Sequence, residues 1–432
     1  MVNKRIGIGI LGLGHVGRGT LEIIEKNQKF IEQETAPYKI GITALADLDI
    51  DRKPESGKYD NVFTTSADEV IENPDVKIIV ESIGGEYPAY DFIKKALNMG
   101  KHIVTPNKEI VAKHGYELLG IAHQNHVQFL FETSVGSAIP ILGVISNILT
   151  SCPIDEISGI LNGTTNYILD LMLEENISQQ DALKKAQEMG YAEADPSKDI
   201  LGIDALYKIF ILSSLGFKSR LDLSKIAYSG IDRVELEDIQ LTDRLGYQIK
   251  LIAKAKRINN LEDTLDINVF PALIPKNHFL VNIRGADNGI LINGESYGDL
   301  FFSGAGAGGI AGGSMIVSDI VKIIRQPDYF EYNYLVKNPR SLKVLSCAKD
   351  KSSYFLRIEQ NSSRDRNKID KIDKILSKNN IKVKEYTKTD NKKNITFGVI
   401  TTLIENESLQ EALRILNSQD EDIIVKNSIK LF

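Results

Sequence analysis

The sequence predicts an α/β protein: a doubly wound parallel sheet first, an α+β region next, and a βαββαβ unit at the end. Three observations carry this. Short apolar runs alternate with amphipathic stretches through the first third of the chain, the pattern of parallel strands joined by helices. From about Ile154 the alternation gives way to longer helical stretches mixed with strand-like runs. Beyond Lys337-Asn338-Pro339-Arg340, a segment of linker composition, the order becomes strand, helix, strand, strand, helix, strand.

Taken in order, Ile6 to Leu11 reads as a strand and Val16 to Phe30 as the helix after it. Ile40 to Ala46, Val76 to Glu81 and His102 to Thr105 are further strands. Pro88 to Met99 and Glu109 to Ala122 carry helical periodicity, and Val127 to Phe131 closes the series as a strand. In the middle region Tyr167–Glu174, Gln180–Met189, Lys198–Leu215 and Asp238–Ala255 read as helices, with strands at Asp266 to Phe270 and Gly289 to Ile292. The last unit is Tyr354–Glu359, Lys368–Lys378, Ile381–Tyr386, Asn394–Leu403, Ser408–Leu416 and Asp422–Ile429. The charge-rich stretch Ser362 to Lys374 reads as solvated. The expected domains are therefore 1-135, 136-336 and 345-432.

A chain of 432 residues exceeds one ordinary core. Its 42% hydrophobic and 25% charged content is that of a soluble globular protein, and no apolar stretch approaches a membrane span. A net charge of -6 provides no basic surface for nucleic acid or anionic membrane. The two cysteines, Cys152 and Cys347, supply neither a disulfide framework nor a Cys-rich zinc site, which fits a reducing cytosol. Met1 to Leu13 is basic and then apolar, but glycines interrupt it and no cleavage pattern follows, so it is not read as a signal peptide.

Gly12-Leu13-Gly14-His15-Val16-Gly17 lies between the first strand and the first helix. Its glycines permit a tight turn, close approach of a pyrophosphate and close helix–strand contact, while the helix N-terminus offers free N–H groups to the phosphates. A tight structural turn alone does not explain all three spacings. Dinucleotide binding does. Asp47, ending the second strand, suits ribose hydroxyls and repels a 2′-phosphate, whereas Arg52 and Lys53 suit that phosphate, so NAD and NADP both stay open.

Four carboxylates, Glu188, Glu193, Asp195 and Asp199, fall within twelve residues. Asp195 before Pro196 reads as a helix N-cap with proline at the first helical position. The others are open to three readings: a metal, a substrate ammonium, or a solvated face. In the next helix Ile200, Ile203, Ala205, Leu206, Ile209, Phe210, Ile211 and Leu212 wrap nearly the whole circumference, which predicts burial. Asp204 and Lys208 stand on one face of it, four residues apart. A charge pair in so apolar a helix requires a strong reason, and desolvation would bring the lysine toward the range useful for proton transfer. Lys108, in Thr105-Pro106-Asn107-Lys108, stands at the carboxyl edge of the expected sheet, where such folds bind ligands. Ser303 to Gly313 holds six glycines, read either as close backbone approach to a ligand or as a flexible loop.

These segments resemble the homoserine dehydrogenase family. Gly12 to Gly17, Glu81-Ser82-Ile83-Gly84-Gly85, Thr105 to Lys108, Glu132-Thr133-Ser134-Val135-Gly136-Ser137-Ala138-Ile139-Pro140, Asn162-Gly163-Thr164-Thr165-Asn166 and Gly190 through Lys208 stand in the family's order. With the glycine-rich segment they span about residues 4 to 325. The resemblance implies interconversion of homoserine and aspartate semialdehyde with NAD or NADP, in threonine, methionine and isoleucine biosynthesis. It implies three catalytic residues: Lys208 as proton donor to the aldehyde oxygen, Asp204 as the partner that orients or charge-balances it, and Lys108 beside nicotinamide and substrate, sharing in the proton transfer. Glu193 and Asp199 would hold the substrate ammonium, with Gly163 and Thr164 shaping the pocket. Gly12, Leu13, Gly14, His15, Val16, Gly17, Asp47, Ser82, Lys108 and Gly306 would meet the cofactor. A sodium-like cation would rest on main-chain carbonyls of Glu132, Val135, Ser137 and Ile139. The family pairs through its substrate domain, implying a homodimer at least.

The terminal unit resembles an ACT domain in element order, but has Ser362-Ser363-Arg364-Asp365 where that family has a Pro-Gly turn. The chain also has Ala311-Gly312-Gly313 in place of the usual Pro-Thr-Ala. Two rivals are weaker. An acylating semialdehyde dehydrogenase needs a thiolate nucleophile, and neither Cys152, before Pro153, nor Cys347 is placed for it. A non-catalytic nicotinamide sensor has no use for the buried Asp204/Lys208 pair.

Overall fold

The chain begins with β1 (Arg5–Leu11), α1 (His15–Lys26), α2 (Gln28–Glu34), β2 (Lys39–Ala46), β3 (Phe63–Thr64) and α3 (Ala67–Glu72). These are followed by β4 (Val76–Glu81), α4 (Ala89–Asn98), β5 (His102–Val104), α5 (Lys108–Gln124) and β6 (Phe129–Leu130). Next come β7 (Glu156–Ile160), α6 (Gly163–Glu175), α7 (Gln179–Glu188), α8 (Ser197–Ile200), α9 (Ile203–Gly216), β8 (Ala227–Tyr228) and α10 (Leu236–Arg244). The middle region ends with β9 (Tyr247–Arg257), β10 (Thr264–Pro275), β11 (Asp287–Gly294), β12 (Gly298–Ala305), α11 (Gly309–Arg325) and α12 (Asn333–Lys337). The last elements are β13 (Lys343–Val344), β14 (Lys351–Ser352), β15 (Tyr354–Asn361), α13 (Ile369–Lys378), β16 (Val383–Asp390), β17 (Asn394–Thr401), β18 (Ile404–Glu405), α14 (Asn406–Gln419) and β19 (Ile423–Leu431). This computed structural model describes residues 5–55, 57–258, 263–345, 351–361, 369–378, 381–390, 394–419 and 423–432.

Two units divide the chain. The first comprises Met1–Ile157, Tyr207–Leu223 and Ile290–Leu342; the second comprises Ser158–Leu206, Ser224–Gly289 and Lys343–Phe432. The division falls inside β7, α9 and β11.

In the first unit all six strands of the sheet run parallel, in the order β3-β2-β1-β4-β5-β6. The order reverses between β1 and β4, the switch point at which doubly wound sheets bind ligands. Apolar runs explain why both strands are central: Ile8, Ile10, Val76, Ile78, Ile79 and Val80 are buried. The expected helix Val16 to Phe30 is two helices, because the chain leaves the helix at Asn27 before α2. The stretch Ser303 to Gly313 is the end of β12, a short turn and the first turns of α11, not a loop. The glycines of α11 serve packing. A Cβ on Gly19 would lie 2.0 Å from the Gly309 carbonyl oxygen, and one on Gly313 would lie 2.5 Å from the Gly19 carbonyl carbon. Helices α1 and α11 thus touch backbone to backbone. The expected linker is tied down as well, since Arg340 N donates to Lys218 O at 3.2 Å and Arg220 N to Arg340 O at 3.3 Å.

In the second unit β9 and β10 form a long antiparallel pair, from Leu265 opposite Arg257 to Pro275 opposite Tyr247. The expected helix Asp238–Ala255 is therefore wrong beyond α10. Gly246, at φ +84, turns the chain, and the apolar run after it is a strand buried on both faces. The expected helix Lys198–Leu215 is broken in the same way at Gly202, φ +81, into α8 and α9. Strand β19 pairs parallel with the end of β10, and the sheet continues as β19-β15-β17-β16. With α13 and α14 this realises the ferredoxin-like order expected for the last unit. Leu356, Ile358, Phe397 and Val399 pack there against Ile372, Leu376, Leu409 and Leu416. The segment Ser362-Ser363-Arg364-Asp365 lies outside the described residues.

Candidate functional site

The glycine turn is held from three sides. Gly12 takes φ +88 and donates its N–H to Ala46 O at 2.8 Å. Leu13 N donates to the Asp47 carboxylate at 2.6 Å, and Ser82 Oγ donates to Gly12 O at 2.8 Å. A Cβ on Gly17 would sit 2.0 Å from Gly12 O, so only glycine lets α1 start so close to β1. Gly14 precedes His15 and Val16 as the cap of α1 and brings no side chain to its first N–H groups. The space beside Gly14 is open except for Arg52 Nη1, 3.9 Å from where a Cβ would be. Free N–H groups at a bare helix start fit a pyrophosphate. Asp47 also carries Arg52 at 3.5 Å, so the acid and the base weighed from sequence form one pair. Lys53 instead pairs with Asp60 at 2.9 Å.

At the carboxyl edge of the sheet, Glu81 ends β4 fully buried. Its carboxylate accepts from Thr105 Oγ1 at 2.6 Å and from Ile83 N at 2.8 Å. Burial pushes its pKa up against these hydrogen bonds. Thr105 Oγ1 in turn accepts from Asn107 N at 3.0 Å, and Asn107 Nδ2 donates to Gly85 O at 2.7 Å. Asn107 also caps α5 by accepting from Ile110 N. Lys108 is therefore the first residue of a capped helix, half-buried, on a loop pinned to β4. The motif around Glu81 was visible from sequence; that its carboxylate organises the edge was not.

In the second unit the chain leaves β7 and enters α6 through Asn162. Its Oδ1 accepts from Thr165 N at 2.8 Å, the N-cap bond of α6. Its Nδ2 donates to Asp199 Oδ1 at 2.6 Å and to Asp204 Oδ2 at 2.8 Å. Asp199 and Asp204, expected as substrate-binding and catalytic groups, are thus brought together by a residue the sequence reading left without a role. Asp204 is buried in α9, and Lys208, one turn further along the same helix and also buried, belongs to the first unit. Glu193 is exposed on the preceding loop, where its carbonyl accepts from Gln187 Nε2 at 3.1 Å. Asp195 accepts from Ser197 N, and Pro196 stands just before the helix rather than at its first position. A Cβ on Gly163 would meet Ala286 O at 2.3 Å, and Thr164 Oγ1 donates to Tyr191 O at 2.8 Å.

The loop Ile283–Ala286 behind Gly163 is fixed by a buried cluster. Lys250 Nζ donates to Asp170 at 2.6 Å, to Asn166 Oδ1 at 2.8 Å and to Ile283 O at 3.1 Å. Asn166 Nδ2 donates to Gly285 O at 2.9 Å, and Gly285 N donates to Asp170. Lys250 is fully buried, and burial lowers its pKa while Asp170 opposes the shift. The available signal was Lys250 flanked by Ile249 and Leu251 in the part of β9 that is buried on both faces.

The carbonyl loop expected to hold a cation follows β6. Gly136 and Ser137 take φ +72 and +49 in succession, reversing the backbone between Val135 and Ile139. The Glu132 carboxylate accepts from Leu142 N and Gly143 N, both at 2.7 Å, while Glu132 N donates to Asp319 at 3.0 Å. The Glu132 side-chain oxygens are therefore engaged within the chain, and two of the expected carbonyls also accept hydrogen bonds, Glu132 O from Val135 N at 3.5 Å and Ile139 O from Ile141 N at 2.9 Å. Among the described residues no group of three or more His, Cys, Asp or Glu forms a side-chain metal site.

Cys152 is half-buried beside Ser151 on a turn, and Cys347 lies outside the described residues. A cavity of about 950 Å³ lies between α14, β19 and the segment Ser229–Val234. Its basic residues already have acidic neighbours: Arg414 pairs with Glu411 and Lys426 with Glu359. The expected catalytic side chains do not line it.

Two family models match the chain: "Homoserine dehydrogenase, NAD binding domain" over residues 12–132 and "Homoserine dehydrogenase" over residues 140–321. The homoserine dehydrogenase of Bacillus subtilis (strain 168) is 39% identical over 74% of this chain and 73% of its own length. That of Helicobacter pylori is 33% identical over 100% of both chains. Among solved structures, a homoserine dehydrogenase from Thiobacillus denitrificans superimposes with a TM-score of 0.89 at 32% identity, covering 99% of this chain and 98% of that one. A hyperthermophilic archaeal homoserine dehydrogenase in complex with NADPH gives 0.62 at 28% identity, covering 74% and 97%.

Proposed function

The chain belongs to the homoserine dehydrogenase family, and on that premise we propose how its residues divide the work of interconverting homoserine and aspartate 4-semialdehyde. It is an NAD(P)-dependent oxidoreductase. The reaction serves the synthesis of threonine, methionine and isoleucine. Bound nicotinamide supplies or accepts the hydride.

The rest falls to the chain. The bare turn Gly12 to Gly17 receives the pyrophosphate, with Asp47, Ser82 and Gly306 bordering the dinucleotide. Asp199 and Glu193 take the substrate ammonium, and Gly163 and Thr164 form the floor beneath it. Lys208 gives a proton to the aldehyde oxygen in the reducing direction and Asp204 sets its orientation. Lys108, at the start of capped α5, steadies the substrate beside the nicotinamide. The observation that carries this division is the Asn162 amide joining Asp199 to Asp204, one turn before Lys208 on a buried helix.

The carbonyls of Glu132, Val135, Ser137 and Ile139 suit a monovalent cation such as Na⁺. We assign residues 1-135 to dinucleotide binding, 136-336 to substrate and pairing, and 345-432 to an ACT-like module. A homodimer in the cytoplasm completes the reading. Among the described residues no helix is long and apolar enough to cross a membrane.

The test is the near-ultraviolet absorbance of reduced nicotinamide, followed with homoserine and with NAD or NADP. The native chain is expected to reduce the cofactor. A folded Lys208→Ala variant should fall by at least about 100-fold in kcat, the usual contribution of a positioned general acid. A variant with unchanged kcat would remove Lys208 from the reaction.

A further inference from the structure

We propose that Asn162 is a positioning residue of the active site: its single amide holds the carboxylates of Asp199 and Asp204 in place and offsets their mutual repulsion. The inference rests on the functional reading above.

The two ends of this amide do different work. Oδ1 accepts from Thr165 N and Thr165 Oγ1, both at 2.8 Å, and so caps α6. Nδ2 spends its two hydrogens on Asp199 and Asp204, at 2.6 and 2.8 Å. The orientation follows from the partners: the Thr165 N–H can only donate, and ionised carboxylates can only accept. Capping alone does not explain an asparagine here, because aspartate and serine cap equally well. Only a residue that accepts on one side and donates twice on the other satisfies all these partners.

The consequence is electrostatic. Two carboxylates that share one donor repel each other, and without that donor one of them takes up a proton more readily. Asn162 is buried, so little water is available to replace the bonds. A carboxylate that takes up a proton no longer attracts an ammonium. Asp204 begins the turn that leads to Lys208, so its placement also bears on the proton donor.

Two substitutions separate cap from bridge. Asn162→Asp and Asn162→Ser both keep a cap acceptor, but the first has no N–H donor and the second offers one short O–H. Each is expected to raise the KM for homoserine by roughly 10- to 100-fold, the usual effect of losing hydrogen bonds to a charged group. In Asn162→Asp the acid limb of kcat/KM should move up by about one pH unit or more, because a third carboxylate joins the pair. The dissociation constant of the reduced cofactor, read by its fluorescence, should stay at the native value, while the thermal midpoint falls in both variants and further in Asn162→Asp, which buries a third carboxylate.

Native KM and pH profile in both variants would overturn the proposal while leaving the functional reading intact. A rise in homoserine KM matched by an equal loss of cofactor affinity in both variants would reduce Asn162 to a structural helix cap, and would overturn it too. A native chain that is itself silent with homoserine would overturn the functional reading, and the proposal with it.

Discussion

Charged and ionisable side chains inside the chain differ in what they were legible from. The Asp204 and Lys208 pair could be read directly, because both stand in one mostly apolar helix and the spacing alone puts them on one face. The bridge from Asn162 could not. Its partners stand 37 and 42 residues away, and only the fold brings them within reach. Lys250 and Asp170 are 80 residues apart and hidden for the same reason. His102, in β5, gives a residue-level test of burial. Its Nδ1 accepts from Gln128 N at 3.0 Å, and burial lowers its pKa from 6.5 to about 4. The folded chain keeps the ring neutral where the unfolded chain would protonate it. Its contribution to stability is therefore complete above pH 6.5 and is lost as the pH falls toward 4. By about pH 5 the loss is on the order of 2 kcal/mol. Urea midpoints at neutral and mildly acid pH should converge in His102→Gln relative to the native chain. An unchanged gap would mean that the ring is solvated.

Elements were legible where one period ruled a whole segment and illegible where glycine changed the period. The parallel strands β1, β2, β4 and β5 were found because each is a continuous apolar run between turn residues. Helix α10 and strand β9 were fused into one helix, since a strand buried on both faces offers no alternation to distinguish it. Helix α11 is illegible because Gly309, Gly312 and Gly313 fall in its first turns and argue against a helix on propensity. Packing explains them. Gly19 on α1 lies against Gly309, and Gly313 lies against Gly19, so close backbone contact outweighs the propensity cost. The expected consequence concerns the cofactor. Gly19→Ala places a methyl group 2.0 Å from a carbonyl oxygen and must push α1 away from α11. Such overpacking costs about 1–3 kcal/mol. Because α1 also carries the dinucleotide turn, the variant should melt earlier and bind reduced cofactor more weakly, as read by its fluorescence. Native affinity at a lowered midpoint would show that the turn is held by β1, Asp47 and Ser82 alone.

At the scale of whole units, the ferredoxin-like unit is built into the second unit rather than hung from it. Strand β19 pairs with β10 through Ala272 opposite Lys430 and Leu273 opposite Leu431, and Phe432 packs on the cluster of Ile252, Ala272, Ile274 and Leu280. A buried ion pair adds to the join. Arg357 on β15 lies 2.9 Å from Asp238 on α10, with both side chains almost wholly enclosed, and Asn427 donates to Asp238 at 2.8 Å. Burial raises the Asp238 pKa, with Arg357 opposing the shift. Removing residues 345–432 takes away Arg357 and Asn427 together. It leaves Asp238 without its cation and the end of β10 without its neighbour. Breaking a buried pair from one side costs about 3–5 kcal/mol, and an uncovered strand edge invites pairing with other chains. A chain ending at 345 should therefore melt well below the native protein and aggregate on warming, whatever its activity when cold. Asp238→Asn in the full chain breaks the same pair, but Arg357 keeps Glu235 at 2.7 Å and β10 keeps its neighbour, so this variant should melt lower without aggregating. If the truncated chain instead keeps the native melting temperature and stays monodisperse by light scattering, the terminal unit is an appendage and β10 is stable as an edge.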